Sequence, residues 1–235
     1  MGSIFRFKQF EVDQGNCAMK INTDGVIIGA MAYQERASRI LDVGSGTGVI
    51  ALMLAQRHPH ALLDAVEIDK EAHVQAAYNF RQSIFADRLR SIHSDFRDFH
   101  PDASYDLIVS NPPFYTKSLH NPDPRKKLAK HTDFLFFEGL LDFVARHLSL
   151  SGEFHCILPV ALAEEILSEM LSKRKLYLQR RVNISSYPDA DPIRSLLVIG
   201  KETCVVEYDT LIIYERPTEH TEDYKNLLKP YFLAF

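Results

Sequence analysis

Asn111 stands at the end of the apolar run 105–110 and is followed by Pro112, Pro113 and Phe114. An asparagine side chain carries an amide oxygen that accepts hydrogen bonds, and two prolines after it restrict the backbone. Acceptors held in this way suit a planar amino group, because accepting its N–H bonds localises a nitrogen lone pair that is otherwise delocalised. We therefore expect the oxygen of Asn111 and the carbonyl of Pro112 each to accept one N–H bond from a substrate amine.

Phe114 closes this motif with an aromatic ring. Enzymes that act on a nucleic-acid base take that base out of the stack, and an aromatic ring beside the site can then stack on it. We expect Phe114 to have this role. Taken alone, the sequence Asn-Pro-Pro-Phe also fits an ordinary loop after a strand, so its interpretation as a site depends on a second motif earlier in the chain.

Three glycines, Gly44, Gly46 and Gly48, follow the apolar run 40–43, and Ser45 lies between the first two. A glycine turn between a strand and a helix lets backbone N–H groups approach a ligand closely, because glycine lacks Cβ and adopts positive φ. The dinucleotide-binding fingerprint is G-x-G-x-x-G, whereas this run is G-x-G-x-G followed by valine, which disfavours a pyrophosphate site. The spacing favours a nucleoside cofactor without phosphates.

Acidic residues follow the next two apolar runs of the chain. Glu67 lies about 20 residues beyond the glycines, where a carboxylate can accept two hydrogen bonds from a ribose diol, and Ile68 adjoins it. Asp95 can accept a hydrogen bond from an adenine amino group while Phe96 packs against the adenine ring. Capping of the following helices is the alternative role for both acids.

Asp42 immediately precedes the glycine turn and has two interpretations. It can contact a cofactor ammonium group through water, or it can be a buried acceptor that orients the turn. The sequence does not favour one of these roles over the other.

Strand-like and helix-like segments alternate along most of the chain, which predicts an α/β fold with a mostly parallel sheet and helices on both faces. The predicted strands span 40–43, 61–68, 89–93, 106–110 and 152–158, and the predicted helices span 49–57, 71–82, 137–148 and 161–172. The tail has β-rich runs at 176–185, 196–200 and 205–214, for which we expect antiparallel pairing. We expect one domain over 1–235, divided into an N-terminal segment 1–38, a cofactor-binding half 39–160 and a β-rich half 161–235.

The composition, with 46% hydrophobic and 25% charged residues in a chain of 235, suits a single buried core. No apolar stretch approaches the roughly 20 residues that span a bilayer, and the N-terminus lacks the layout of a secretory signal. The three cysteines are widely spaced and odd in number, so we expect reduced thiols in a cytoplasmic protein and favour a monomer. The ten histidines form no metal-binding motif, and we expect no metal.

A formal net charge of −4 argues against general electrostatic binding to nucleic acid. Two basic runs stand out against it, at 117–130 and 173–181. Such runs suit contacts to phosphates, although solvated helix ends are the alternative. The candidate RNA-binding residues are Lys117, Arg125, Lys126, Lys127, Lys130, Arg180 and Arg181.

Taken together, these motifs match a known family. The chain resembles the Rossmann-like, class I S-adenosylmethionine-dependent methyltransferases with an Asn-Pro-Pro-aromatic motif, and within them it is most similar to the bacterial tRNA1(Val) adenine-37 N6-methyltransferases. The closer similarity is carried by residues 7–10, 17–20, 23–25, 130–132 and 224–235, and the resemblance covers almost the whole chain. Ser45 is a mild departure, because many relatives carry threonine there.

The resemblance implies a seven-stranded sheet, S-adenosyl-L-methionine as the cofactor, tRNA as the partner and N6 of an adenine next to the anticodon as the methyl acceptor. It also implies that residues 14–24 fold over the cofactor, which brings Lys20 and Thr23 into the cofactor site. Judged from the residues alone, 17–23 can be such a lid or a strand that covers a sheet edge.

Three other functions are compatible with parts of this pattern. Methylation of a protein glutamine uses a similar planar nitrogen, but the roughly forty residues before the first predicted strand are too few for a separate recognition domain. Methylation of adenine in DNA or another RNA is also open. The alternative from another class is a non-catalytic RNA-binding module, against which the intact Asn111 and glycine turn argue.

Overall fold

The computed structural model describes residues 4–15, 17, 19–112 and 124–235, with the backbone alone for 124–133. The strands are β1 (Ile4–Arg6), β2 (Glu11–Asp13), β3 (Arg39–Val43), β4 (Leu62–Glu67), β5 (Leu89–His93), β6 (Tyr105–Ser110), β7 (Leu148–Pro159), β8 (Tyr177–Ser185), β9 (Arg194–Gly200), β10 (Glu207–Ile212), β11 (Tyr214–Arg216) and β12 (Glu219–His220). The helices are α1 (Thr23–Met31), α2 (Val49–Arg57), α3 (Lys70–Gln82), α4 (Pro124–His147), α5 (Val160–Glu169) and α6 (Glu222–Leu228).

The central sheet has the strand order β10-β8-β9-β7-β6-β3-β4-β5. Strands β3 to β7 pair in parallel, and β9 pairs antiparallel with both β7 and β8. The predicted fold class, a mostly parallel sheet with antiparallel C-terminal strands, is therefore confirmed. Helices α2, α3 and α4 form the crossovers from β3 to β4, from β4 to β5 and from β6 to β7, whereas a loop connects β5 to β6.

The sheet differs from the prediction in its eighth strand. Strand β10 pairs parallel with β8, not antiparallel as we expected for the tail. Because β9 lies between β7 and β8, the free edge of the sheet is on β8. A chain that returns from β9 to that edge runs opposite to β9 and therefore parallel to β8.

Helices cover both faces of the sheet, so the core has two layers. One layer contains the buried side chains of α1, α2, α3 and α6, and the other contains those of α4 and α5. Residues 49–55 of α2 are all buried, which matches the predicted helix 49–57. The predicted helix 137–148 begins earlier, at Pro124, a helical position that tolerates proline because its missing N–H has no partner there.

Helix α1 is the main element that the sequence did not predict, since no helix or strand was predicted between residue 23 and the strand that begins at 40. Asn22 caps it by accepting a 2.8 Å hydrogen bond from the backbone N–H of Gly25. Residues 25–30 are buried, so the helix is apolar on nearly every side. No amphipathic period therefore marked it in the sequence.

The hairpin β1–β2 packs against the C-terminal segment of the chain. Phe7 forms a bridge with Phe232, and the backbone N–H of Lys8 donates a 2.7 Å bond to the carbonyl of Tyr231. The ammonium group of Lys8 also donates to the main-chain oxygens of Lys229 and Phe235, at 2.6 and 2.8 Å. Residues near the two ends of the described chain thus hold each other in place.

Candidate functional site

The carboxyl ends of the central parallel strands bring the two sequence motifs together. Val43, the last residue of β3, pairs with Val66 of β4 on one side and with Ser110 of β6 on the other. The glycine turn, Glu67 and Asn111 consequently follow three neighbouring strands at one edge of the sheet. In open α/β sheets, ligands bind in the crevice at this edge.

The glycine turn has the conformation that its sequence predicts. Gly44, Gly46 and Gly48 have φ values of 76°, 53° and 80°, all in the region that favours glycine. A Cβ on Gly44 or Gly46 would meet no described atom within 4 Å, whereas a Cβ on Gly48 would lie 2.5 Å from Cε1 of Phe80. The first two glycines therefore border open space, and the third allows α2 and α3 to pack closely.

Glu67 is almost buried and fixes the loops around it. Its Oε2 accepts a 2.8 Å hydrogen bond from the backbone N–H of Gly46, and its Oε1 accepts one of 2.8 Å from that of Asp69. Asp69, not Glu67, caps helix α3. A carboxylate has about four acceptor positions, so two remain to receive the hydroxyls of a ribose.

Asp42 is 1% exposed, and no described donor lies within hydrogen-bond geometry of either carboxylate oxygen. Burial, with a smaller contribution from the charge of Glu67, raises the pKa of Asp42 to about 7, and the Ala51 amide opposes this rise. The hydroxyl of Ser45 is also buried and lacks a partner among the described residues. Unpaired buried polar atoms beside a glycine turn indicate a place where a polar ligand binds.

The other predicted cofactor residues differ in how they are placed. Arg97 binds both carboxylate oxygens of Asp95 and holds the pKa of that group below its usual range. The ring of Phe96 is buried in the core against Phe136 and Phe143, so it does not present the free face that we expected. Ile68 is 63% exposed after β4 and supplies apolar surface at the cofactor edge instead.

A short segment, residues 13–21, connects β2 to α1, and we call it the strap. Residues 16 and 18 of the strap lie outside the described residues. Asn79 of α3 binds the strap by accepting a 3.0 Å bond from the N–H of Asp13 and donating a 2.9 Å bond to its carbonyl. The same side chain donates a 2.9 Å bond to the carbonyl of Thr47 in the glycine turn.

Asn79 is 1% exposed and was missed by sequence reasoning, although a polar residue on the buried face of a helix could have indicated it. Cys17, which belongs to the strap, lies near Glu67 and Asp69. Its burial, together with the charges of Glu67 and Asp69, raises the pKa of the thiol to about 11. The strap therefore lies close to the predicted cofactor site, as the resemblance implied. Lys20 and Thr23 are exposed at its end.

Asn111 is half-buried and Pro112 is buried. The hydroxyl of Ser110 donates a 2.9 Å bond to the carbonyl of Val43, which ties the end of β6 to the end of β3. This bond and the strand pairing fix the backbone of Ser110, so Asn111 begins beside the glycine turn. Two further residues of the predicted motif, Pro113 and Phe114, lie outside the described residues.

In the basic run at 173–181, the two arginines that we expected to bind RNA form ion pairs, whereas Lys173 and Lys175 are exposed. Arg180 pairs with Asp209 at 2.6 Å, and Arg181 pairs with Glu164 at 2.6 Å with its side chain only 12% exposed. Both arginines lie in β8, next to the edge strand β10, and they pair with Val198 and Leu197 of β9. The pair of Arg180 and Asp209 is partly exposed. Arg181 lies level with Ser110 along the strands, but β9 and β7 separate its strand from β6.

The first basic run cannot be placed as fully. Lys117 lies outside the described residues, and the side chains of Arg125, Lys126, Lys127 and Lys130 do so as well. The backbone of these last four residues belongs to α4. Among the described residues there is no cluster of three metal-ligating side chains, and none of the helices found there is long and apolar enough to cross a membrane.

Comparison with known families and proteins gives a consistent result. Residues 23–156 match the family described as "Methyltransferase small domain". The chain is 47% identical over 235 residues to the tRNA1(Val) (adenine(37)-N6)-methyltransferase of Pedobacter heparinus, which covers 100% of both chains. It is 40% identical over 232 residues to the protein of the same name from Bacteroides thetaiotaomicron, which covers 97% of each.

Solved structures share the fold at low sequence identity. The crystal structure of a predicted O-methyltransferase from Agrobacterium tumefaciens aligns with a TM-score of 0.69 and 18% identity, covering 88% of this chain and 96% of that one. A TehB-like SAM-dependent methyltransferase from Corynebacterium glutamicum aligns with a TM-score of 0.52 and 19% identity, covering 79% and 90%. These likenesses concern the fold alone.

Proposed function

The chain belongs to the methyltransferase small domain family, as its motifs predicted, and on this premise we propose that it transfers a methyl group from S-adenosylmethionine to N6 of an adenine in tRNA. The acceptor that we propose is adenine 37 of tRNA1(Val). The observation that carries the proposal is the pairing of Val43 with Ser110, because it puts the glycine turn and Asn111 side by side.

The residues at the glycine turn fit the cofactor. The open space beside Gly44 and Gly46 admits a ligand close to the backbone. Glu67 has free acceptor positions for the ribose hydroxyls, and the exposed Ile68 offers an apolar surface to the adenine ring. The unpaired oxygens of Asp42 suit the cationic end of the cofactor, whose chemical contribution is a methyl group on a positively charged sulfur.

The remaining predicted cofactor residues have more peripheral roles in this proposal. We place Lys20 and Thr23 at the cofactor site through the strap, which Asn79 ties to the glycine turn. Asp95 contributes through the acceptor capacity that Arg97 leaves free, and Phe96 supports that loop from the core. These assignments follow from position at the sheet edge.

Asn111 performs the chemical step by binding the exocyclic amine of the adenine. Its Oδ1 and the carbonyl of Pro112 each accept one N–H of the amine, which localises the nitrogen lone pair and directs it at the methyl carbon. A bound S-adenosylmethionine would supply the methyl group to this lone pair and would leave as the neutral thioether, and the amine would release one N–H proton to solvent. Pro113 keeps the loop rigid and Phe114 stacks on the extruded base, so no protein nucleophile is required.

The nature of the substrate is supported by the relatives. Two relatives that match nearly the whole chain carry the name tRNA1(Val) (adenine(37)-N6)-methyltransferase. We propose that Lys117 and the first turns of α4 supply phosphate contacts next to the pocket, while the pocket reads the base. We also propose that the protein acts as a monomer in the cytoplasm, where free thiols such as its three cysteines persist.

The test is incubation of the protein with labelled S-adenosylmethionine and one of three acceptors: unmodified tRNA, a glutamine-bearing peptide or DNA. The products are analysed by nucleoside and peptide mass spectrometry. N6-methyladenosine in tRNA alone is the expected result. Label in the peptide alone would replace base methylation by amide methylation, and label in DNA alone would move the proposal to a DNA substrate.

Two variants separate catalysis from binding in this assay. Asn111→Ala should lose turnover and keep its cofactor affinity, because the amide faces the amine. Asn226→Ala, which removes an exposed asparagine of α6, should leave both unchanged. Normal turnover in Asn111→Ala would refute the role of Asn111, and absence of stabilisation by the cofactor would favour a non-catalytic RNA-binding protein.

A further inference from the structure

The first turn of α1 lies directly against the amide group of Asn111. A Cβ on Gly25 would lie 3.7 Å from Nδ2 of Asn111 and 3.4 Å from Oδ1 of Asn22. The two side chains therefore border the same small space, which is open because residue 25 is glycine. Any larger residue at this position would fill it.

Asn22 presents an acceptor to this space. Its Oδ1 is fixed in orientation, because it accepts the 2.8 Å capping bond from the N–H of Gly25. An acceptor on this side favours the orientation in which Asn111 turns its NH₂ group towards α1. The oxygen Oδ1 of Asn111 then lies on the opposite side of the amide, free to accept an N–H from a substrate.

An ion pair holds this turn in place. Nε of Arg194 donates to Oδ2 of Asp24 at 2.8 Å, and both side chains are largely buried. Arg194 is the first residue of β9 and pairs with Pro159, the last residue of β7. The pair therefore connects α1 to the same sheet edge that carries Asn111, across 170 residues of sequence.

We propose that Asp24, Arg194 and Asn22 are positioning residues for the methyl acceptor: the ion pair fixes the first turn of α1, and that turn sets which side of the Asn111 amide faces the substrate. This inference rests on the amine-binding role of Asn111 in the proposed function. Gly25 in this turn borders Asn111, whereas Thr23 of the same turn belongs to the proposed cofactor site. Loosening the turn is therefore expected to impair the reaction of the acceptor much more than cofactor binding.

The experiment measures kcat and KM for tRNA, together with the affinity for S-adenosylmethionine, in the full chain. In Arg194→Gln, kcat/KM for tRNA is expected to fall about 10- to 100-fold, since a misplacement of about 1 Å can cost on the order of 100-fold. Cofactor affinity is expected to stay within about twofold of the unsubstituted protein, a factor worth well under 1 kcal/mol. Asp24→Asn, which keeps the shape of the side chain, should give the same result and serves if Arg194→Gln fails to fold.

The matched control is Arg90→Gln, which breaks another Nε–Oδ ion pair of 2.8 Å, to Asp64, on β5 and away from α1. It should leave the kinetics for tRNA unchanged. The charge-exchanged variant Asp24→Arg/Arg194→Asp should recover most of the lost kcat/KM. Gly25→Ala should lower kcat while it leaves cofactor affinity and thermal stability intact, since its methyl meets only ordinary contacts.

Equal kinetics in Arg194→Gln and Arg90→Gln would overturn the inference. A parallel loss of cofactor affinity and turnover, with no recovery on charge exchange, would also overturn it and show that the pair only stabilises the fold. In both cases the unsubstituted protein still methylates tRNA. Failure of the unsubstituted protein to do so would instead overturn the proposed function, so the two failures are distinguishable.

Discussion

The backbone N–H of Gly46 donates a 2.8 Å hydrogen bond to Oε2 of Glu67. This bond joins the turn after β3 to the acid after β4 before any cofactor binds. Glu67 therefore has a structural role other than the helix capping that the sequence suggested, since Asp69 caps α3. It orders the loops at the sheet edge, and it retains acceptor positions for a ribose.

Glu67→Gln should weaken both the fold and cofactor binding. An NH₂ group would replace one carboxylate oxygen opposite a backbone N–H, and leaving that donor unsatisfied costs about 1–3 kcal/mol. We expect a loss of stability of this size, measured by urea denaturation. Calorimetry should show at least about a 10-fold loss of cofactor affinity, which corresponds to about 1.4 kcal/mol. Glu71→Gln, an exposed change in the first turn of α3, is the control, and an equal affinity in both variants would contradict the role of Glu67.

Alanine at Gly46 should lower mainly cofactor affinity, whereas alanine at Gly48 should lower mainly stability. In Gly46→Ala, the positive φ costs about 1–2 kcal/mol, and the new methyl enters the open space next to the turn, so cofactor affinity falls more than stability. In Gly48→Ala, the methyl overlaps Phe80, so stability falls by about 2–5 kcal/mol through strain and overpacking. Denaturation and cofactor titration of both variants test this, and the reverse ranking would show that the open space is not the cofactor site.

Asp42 should make the stability of the free protein depend on pH. Its pKa is about 7 in the folded chain, against about 3.9 for an ordinary Asp. Between these values the folded state binds more protons than the unfolded state, so the free energy of unfolding falls as pH rises from about 4 to about 7. The total loss is on the order of 4 kcal/mol, and it stays constant at higher pH.

Asp42→Asn removes this titration and keeps the shape of the side chain. As pH rises from about 4 to about 7, the free energy of unfolding of the unsubstituted protein should therefore fall relative to that of Asp42→Asn. Urea denaturation at a series of pH values measures it. Parallel stability curves for the two proteins would show that Asp42 is ionised throughout.

Asn79→Ala should release the strap from the glycine turn. The change leaves the N–H and carbonyl of Asp13 and the carbonyl of Thr47 without this partner, at a cost of about 1–3 kcal/mol. Hydrogen exchange of residues 13–21 should become faster and the KM for S-adenosylmethionine should rise. Gln82→Ala, an exposed change at the end of the same helix, should alter neither, and unchanged exchange in Asn79→Ala would rule out the attachment.

The basic residues of α4 should determine how tRNA binding depends on salt. Replacing Arg125, Lys126 and Lys127 by alanine should weaken binding and reduce the slope of log affinity against log salt by about 2–3, at roughly 0.7–0.9 per phosphate contact. A triple variant with the same charge change, Arg6→Ala/Arg216→Ala/Lys225→Ala, is the control. An unchanged slope in the first variant would remove this run from the RNA-binding surface.

The sequence predicted the elements whose local pattern is strong. The helix Val49–Arg57 and the strand Leu89–His93 have the predicted bounds, and the three glycines have the predicted positive φ. Helix α1 was missed because a segment that is apolar on nearly every side shows no period. Helix α2 is also buried along 49–55, but the glycine turn before it and Pro59 after it mark its ends in the sequence.

The surroundings of some candidate site residues were not predicted for a different reason. The residues that contact them are distant in sequence. The acids that neutralise Arg180 and Arg181 are Asp209 and Glu164, and no local pattern pairs them. Phe96 is covered by Phe143 of α4, although Phe96 and Asp95 follow a strand at the site edge. Position along a strand was predictable, whereas the ion pairs of the two arginines and the burial of Phe96 were set by tertiary packing.

The contacts of Lys8 with Lys229, Tyr231 and Phe235 affect the order in which parts of the chain can fold. During translation, Lys8 emerges 221 residues before Lys229, which belongs to the surface on which it rests. The strap can bind Asn79 as soon as α3 is made, but the hairpin that precedes the strap lacks its support until that later surface exists. A nascent chain can therefore pair its central parallel strands before its N-terminal hairpin is in place.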